Sequence, residues 1–298
     1  MKVFTFCVVL VVVAVMAWQH VRYVRARRGP NQDKQRQLYA GSAFHVLTFL
    51  RVPAGGDVLD SMRKLRSDLE GGGQAEMVYA GRVALIGLAS SQLPETDWDA
   101  VVLVQYPSRA SFDAVAESAA YRASLERFAE TFSQGLDRPV ALNLAIPQFL
   151  LAVRVYELVT GKGSHYPFVP AAGEVGADGE DAQGARLATL DNLRELSEDS
   201  VVVVNLLKGG TEAQRKADRG YGLEMAGLFA EGGHGPIHIG RAVTIEGDAE
   251  FDRVALVYYP GIDYMKEMLG STFYQGIVSG KQPGDTLAAP TVPVLGRL

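Results

Sequence analysis

Few side chains in this 298-residue chain have types and spacings that could do chemistry. Thr48 and Asn205 are polar residues in the middle of two apolar runs, FHVLTFLRV and VVVVNLLK. A buried hydroxyl or amide needs partners, which either a ligand or an internal hydrogen bond would supply. Arg82 and Arg241 each follow a glycine in two further runs, and each could meet an anion or pair with Asp99 or Asp252. Gln105 and Tyr258 hold equivalent places in two similar stretches but differ in type. Tyr121 and Tyr274 end those stretches, and a tyrosine hydroxyl also wants a partner, in a site or in the packing. These eight are the candidate pocket residues.

Other chemistries find little support. His234 and His238 are four apart, but Gly235-Pro236 lies between them, so two ligands one helical turn apart are not expected. His45 has no carboxylate or second histidine near it in sequence. No metal site is expected. Lys208-Gly209-Gly210 lacks P-loop spacing, no GxGxxG follows a strand, and there is no GxSxG elbow. Cys7, the single cysteine, lies in the apolar N-terminus, which removes a cysteine nucleophile and intrachain disulfides. The expected cofactor set is therefore none. A net charge of −5 and the lack of a basic stripe give no electrostatic case for nucleic acid.

What positions the candidates is an internal repeat. Trp98–Tyr121 (WDAVVLVQYPSRASFDAVAESAAY) and Phe251–Tyr274 (FDRVALVYYPGIDYMKEMLGSTFY) align without a gap at an offset of 153. Each is an aromatic–Asp start, an apolar run, a Tyr-Pro stop, an amphipathic segment and a Ser-x-x-Tyr close. Proline ends the run because it has no N–H to donate. In the first copy, strands are expected over 44–52, 76–88 and 99–106, with helices after Asp57 and Ser108 as N-caps and a fourth strand over 140–146. In the second, strands are expected over 201–208 and 235–246, a helix over 211–231, and a hairpin loop six residues shorter. The order is β-α-β-β-α-β, the ferredoxin-like pattern. Residues 147–160 are read as a packed helix, too short and too charged to span a membrane. Residues 161–185, rich in Gly, Ala and acid, are read as a linker. The expected organisation is 1–28 anchor, 35–146 first repeat, 147–185 helix and linker, and 186–298 second repeat.

Asn205-Leu206-Leu207-Lys208, Tyr221, Gly240-Arg241, Phe251-Asp252, Val257-Tyr258-Tyr259-Pro260 and Tyr274 resemble an uncharacterised bacterial branch of the dimeric α/β-barrel superfamily. The first repeat matches through Tyr79-Ala80-Gly81-Arg82, Trp98-Asp99, Tyr106-Pro107-Ser108-Arg109-Ala110-Ser111-Phe112 and Tyr121. It departs from the pattern at Thr48-Phe49-Leu50-Arg51, where the family reads Asn-Leu-Leu-Lys. The resemblance covers roughly 43–142 and 200–293. It implies an α+β fold in which the two repeats pair to close one intramolecular barrel, with a higher oligomer left open. It also implies a pocket between sheet and helices, where relatives place small aromatic or polyketide-like ligands, or haem.

Val3 to Trp18 carries no charge, and extension to Val24 gives length enough for a hydrocarbon core of ~30 Å. Arg22, Arg25, Arg27 and Arg28 follow it. A single-pass membrane helix with the body on the cytoplasmic side is expected; the alternative is export after signal cleavage. Three functions stay open: a membrane-tethered barrel binding a small organic ligand, an enzyme of the cofactor-independent monooxygenase or isomerase type, and an interaction scaffold.

Overall fold

The structure is a computed structural model that describes residues 2–26, 34, 38–93, 97–171, 188–196, 199–282 and 284–298. The acidic half of the expected linker (172–185), residues 186–187 at the start of the expected second repeat, the tether residues 29–33, Arg27 and Arg28, and part of the polar lead-in (35–37) lie outside the described residues.

The first unit runs β1 (Phe44–Arg51), α2 (Val58–Gly71), β2 (Glu76–Val83), β3 (Ala100–Tyr106), α3 (Arg109–Ala116), α4 (Ala119–Glu126) and β4 (Glu130–Asp137). It follows α1 (Lys2–Arg25) and precedes α5 (Val140–Thr160). The second unit runs β5 (Val201–Leu207), α6 (Glu212–Gly232), β6 (Gly235–Thr244), β7 (Arg253–Tyr259), α7 (Ile262–Leu269), α8 (Thr272–Ile277) and β8 (Leu287–Pro293).

The helix starts follow from their caps. Asp57 Oδ1 accepts from Asp60 N at 2.7 Å, and Ser108 Oγ accepts from Ser111 N at 3.1 Å. Thr211 and Gln214 form a capping box at the start of α6. The expected second helix of each repeat is two short helices. Ser118 and Ser271 break it: each Oγ donates at 2.6 Å to the helix before it and accepts at 3.1 Å from the N–H of Tyr121 or Tyr274. The repeated Ser-x-x-Tyr is thus an N-cap and its third helical residue.

The fourth strand is Glu130–Asp137, not 140–146. It pairs along the whole of β1, with Phe132 and Leu136 buried. Residues 140–146 instead open α5, a helix of 21 residues. A seven-residue apolar run fits strand or helix equally by periodicity, and its continuation through Thr160 decides for helix. α5 is long and apolar enough to cross a membrane by length and composition, as is Phe4–Arg25 in α1.

The eight strands form a closed antiparallel barrel in the order β1-β3-β2-β8-β5-β7-β6-β4. Each unit contributes the ferredoxin-like order, and the two join at β2–β8 and β6–β4, which leaves no strand edge. The register makes the repeat exact in space. Thr48 faces Val102 and Asn205 faces Ala255; Arg82 faces Ala100 and Arg241 faces Arg253. Both β2 and β6 are bulged, between Met77 and Tyr79 and between Pro236 and His238.

Two cores result. Inside the barrel, Leu47, Phe49, Leu103, Val204, Leu206 and Leu256, from both units, are essentially inaccessible. Outside it, the helices pack on alternate strand residues such as Val46, Leu50, Val102 and Val104. Tyr79 donates to Thr291 Oγ1 at 2.5 Å across the β2–β8 seam, and Thr291 donates on to Val202 O at 2.7 Å.

Candidate functional site

The outward face of the second sheet does not meet its helices everywhere. A cavity of about 920 Å³ lies between β5, β7 and β8 on one side and α6, α7 and α8 on the other. That is the size of a drug-sized ligand pocket. Val203, Asn205 and Leu207 line it from β5; Met225 and Phe229 from α6; Met265 and Met268 from α7. α6 has 21 residues where α2 has 14, so it carries roughly two further turns over the sheet.

Its wall is mostly apolar, and several polar groups interrupt it. Both Asn205 amide hydrogens are used, on Val203 O at 3.0 Å and Ala255 O at 3.2 Å. What Asn205 offers the cavity is its carbonyl oxygen, an acceptor. The Tyr221 and Tyr274 phenols line it too and lie close enough to influence each other. Burial pushes both phenols, and Tyr259 beside them, above their ordinary range, so all three are neutral donors at neutral pH. Lys281 lines the same space, and burial pushes its ammonium down against the opposing pull of Asp218.

The cavity's rim includes the first unit. The longer first hairpin loop runs over β8: Gly87 N donates to Ala288 O at 2.8 Å, and Ser91 donates from N and Oγ to Asp285 at 2.7 and 2.8 Å. Leu85, Leu88 and Ala89 thereby wall the second unit's cavity. The reverse also holds. Ile245 and Glu246, just after the end of β6, wall a smaller space of about 520 Å³ under α3 and α4, which Tyr121 also lines.

The eight sequence candidates separate into four places. Asn205 and Tyr274 meet in the large cavity. Tyr121 lines the small one, while Thr48, on the same outward face, pairs with Ser133 Oγ at 3.1 Å. Gln105 and Tyr258 stand on strand positions that face the barrel interior. Arg82 and Arg241 lie outside both cavities. Arg82 Nε donates to the Asp99 backbone oxygen at 3.2 Å, and Arg241 pairs with Asp137 at 3.2 Å, so neither makes the expected ion pair with Asp99 or Asp252. Those carboxylates instead accept Val52 N at 2.8 Å and Gly209 N at 2.5 Å, as turn caps.

Sequence reasoning missed Tyr221 as a site residue, together with Lys281, Met225, Phe229, Met265 and Met268. Tyr221 was legible only as part of a motif, and Lys281 follows the last helix with no pattern to mark it. Missed too was a polar group inside one mouth of the barrel. His45 and His238, 193 positions apart, have ring centroids 6.1 Å apart, with Tyr39 and Arg138 beside them. Burial and the Arg138 guanidinium hold His238 well below its ordinary range, so it is neutral.

No family model matches the chain, and no curated protein does. Among solved structures, a candidate monooxygenase from Fusobacterium nucleatum aligns over 86% of this chain and 94% of its own, with 10% identity and a TM-score of 0.43. A variant chlorite dismutase from Candidatus Nitrospira defluvii aligns over 86% and 94%, with 10% identity and a TM-score of 0.38. A dimeric ferredoxin-like protein of unknown function from Bacteroides fragilis aligns over 33% and 96%, with 12% identity and a TM-score of 0.22. The strand order and closure of this chain are those of a dimeric α/β barrel in which two ferredoxin-like units of one polypeptide take the place of two subunits.

Proposed function

We propose that the chain is a membrane-tethered barrel that binds a small, largely apolar organic ligand in the second unit's cavity. The observation that carries this reading is the cavity of about 920 Å³, walled by methionine and aromatic side chains, with Asn205, Tyr221, Tyr274 and Lys281 among its polar groups. The scaffold alternative is weaker: it would leave those polar groups in an empty space. The enzyme alternative draws on Lys281 alone, whose depressed ammonium is nearer to releasing a proton than a surface lysine.

The tether is α1. Phe4, Val11 and Trp18 are more than half exposed, whereas Tyr23 and Val24 at its end are buried against the body. α5 runs alongside, with Gln148 donating to Met16 O at 2.9 Å, and its exposed side chains Phe149, Val155, Tyr156 and Val159 are apolar. The arginines after the span favour a cytoplasmic body.

The test is native mass spectrometry of the full chain released from detergent, with and without Ala255→Trp, which fills the cavity. A co-purifying small molecule that the variant lacks supports the reading. Equal ligand occupancy in both proteins refutes the site. For the tether, the full chain is expected in the membrane fraction and a chain lacking residues 1–28 in the soluble one; an N-terminus beginning after Ala17 would replace the anchor by a cleaved signal.

A further inference from the structure

We infer that the ligand is an organic acid whose carboxylate is received by Lys281, with its apolar body against Met225, Phe229, Met265 and Met268. This rests on the reading of the second unit's cavity as the ligand site and names the class of molecule that fits it.

The cavity is apolar over most of its wall, so a charged ligand group has few places to go. Lys281 is the lysine among its lining residues. It sits just beyond the turn 278–280, its own N–H bonded to Val278 O at 2.9 Å, so its backbone is held by that turn. Two carboxylates share the cavity wall. Asp285 is engaged by Ser91 from the first unit's loop, through both N and Oγ. Asp218 faces Lys281 from α6 and attracts it, yet among the described residues no carboxylate comes within ion-pair distance of the Lys281 ammonium. A partly buried cation without a paired anion is an unfavourable arrangement that a bound carboxylate relieves.

The other polar groups agree with an acid that carries a second polar function. Asn205 can only accept, and the Tyr274 hydroxyl, which also lines the cavity, can donate or accept. A hydroxyl or carbonyl on the ligand's far end would meet one or the other. Burial disfavours the free ammonium, and a bound carboxylate offsets that cost.

The experiment is calorimetry on the full chain in a non-ionic detergent. The probes are benzoate, 2-naphthoate and anthracene-9-carboxylate, each beside its primary amide. The expected result is an acid bound at least tenfold more tightly than its amide. Lys281→Met should lower acid affinity to that of the amide and leave the amide unchanged, while Lys281→Arg keeps the preference. Ala255→Trp should abolish both. If acid and amide bind equally and Ala255→Trp removes both, the cavity is a ligand site but Lys281 does not select acids. If the preference survives Lys281→Met, the assignment of the carboxylate to Lys281 is wrong. If no member of the panel binds, the inference and the cavity reading fall together. Thermal midpoints of the variants within a few degrees of the parent establish that each is folded.

Discussion

Tyr121 and Tyr274 are held by the same device. The serine three residues earlier closes one helix and caps the next, so the phenol is aimed from a fixed first turn. Ser271 is fully buried, and removing its hydroxyl leaves the Tyr274 N–H without its cap, while the Met268 carbonyl keeps the Ser271 N–H at 3.1 Å. Ser271→Ala should cost about 1–2 kcal/mol of stability, read as a shift in urea midpoint. Glu246 provides a pH-dependent counterpart in the smaller cavity. Burial pushes its carboxyl above its ordinary value, and the hydrogen bonds from Ser133 pull the other way without cancelling it. A carboxyl raised in the fold is most favourable to stability when protonated. That contribution is fully present below the unfolded-state value and is lost as pH rises through the folded one. Glu246→Gln keeps an acceptor for Ser133 and removes the charge. It should leave stability near the parent's at pH 4 and above it at pH 7, as seen in denaturation midpoints at both pH values.

The elements explain why the two units are not equivalent. The longer first hairpin loop reaches the second unit's cavity and is tied there through Ser91 to Asp285. The longer α6 gives that cavity its roof. Loop and helix together make one large and one small space from two copies of one pattern. The length difference between the hairpin loops was legible in the alignment, because the offset changes from 159 at the Gly-Arg pairs to 153 at the Tyr-Pro pairs. Where the extra residues go was not, since a loop carries no periodicity to say which neighbour it meets. Asp285→Ala should free the loop without unfolding the barrel. Amide exchange over 88–93 is expected to rise roughly tenfold, as the loss of charge-assisted hydrogen bonds worth about 1–2 kcal/mol at a partly exposed site would produce.

At the scale of the whole molecule, closure is the central fact. The inner core draws side chains from both units, and at two seams the backbones come close. The repeated Gly-Arg has its reason there. A side chain at Gly81 would meet the Tyr79 hydroxyl at 2.5 Å and Thr291 at 3.0 Å, and one at Gly240 would strike the Asp137 backbone oxygen. A backbone oxygen held in the β4–β6 pairing cannot give way as a flexible side chain can. Gly240→Ala should therefore lower stability by about 2–3 kcal/mol, whereas Gly222→Ala, which meets nothing within 4 Å, should be neutral or better. Parallel thermal melts decide it; equal effects at both positions would mean the seam is not tight.

The amino-acid sequence by itself determined the two-copy organisation, the β-α-β-β-α-β order of each copy, and most helix starts, because these rest on local patterns: alternation, capping residues and proline stops. It placed the fourth strand in the wrong segment, since a seven-residue apolar run does not reveal whether it continues as helix. Only the tertiary structure decided that Asn205 and Tyr274 share a cavity while Thr48, Gln105, Tyr258 and both arginines lie elsewhere. Only it decided that Tyr221 and Lys281 join them. A site of this kind is assembled from the outward face of one sheet, one side of three helices and a loop from the other unit. Those parts are distant in sequence, and it is barrel closure that brings them together.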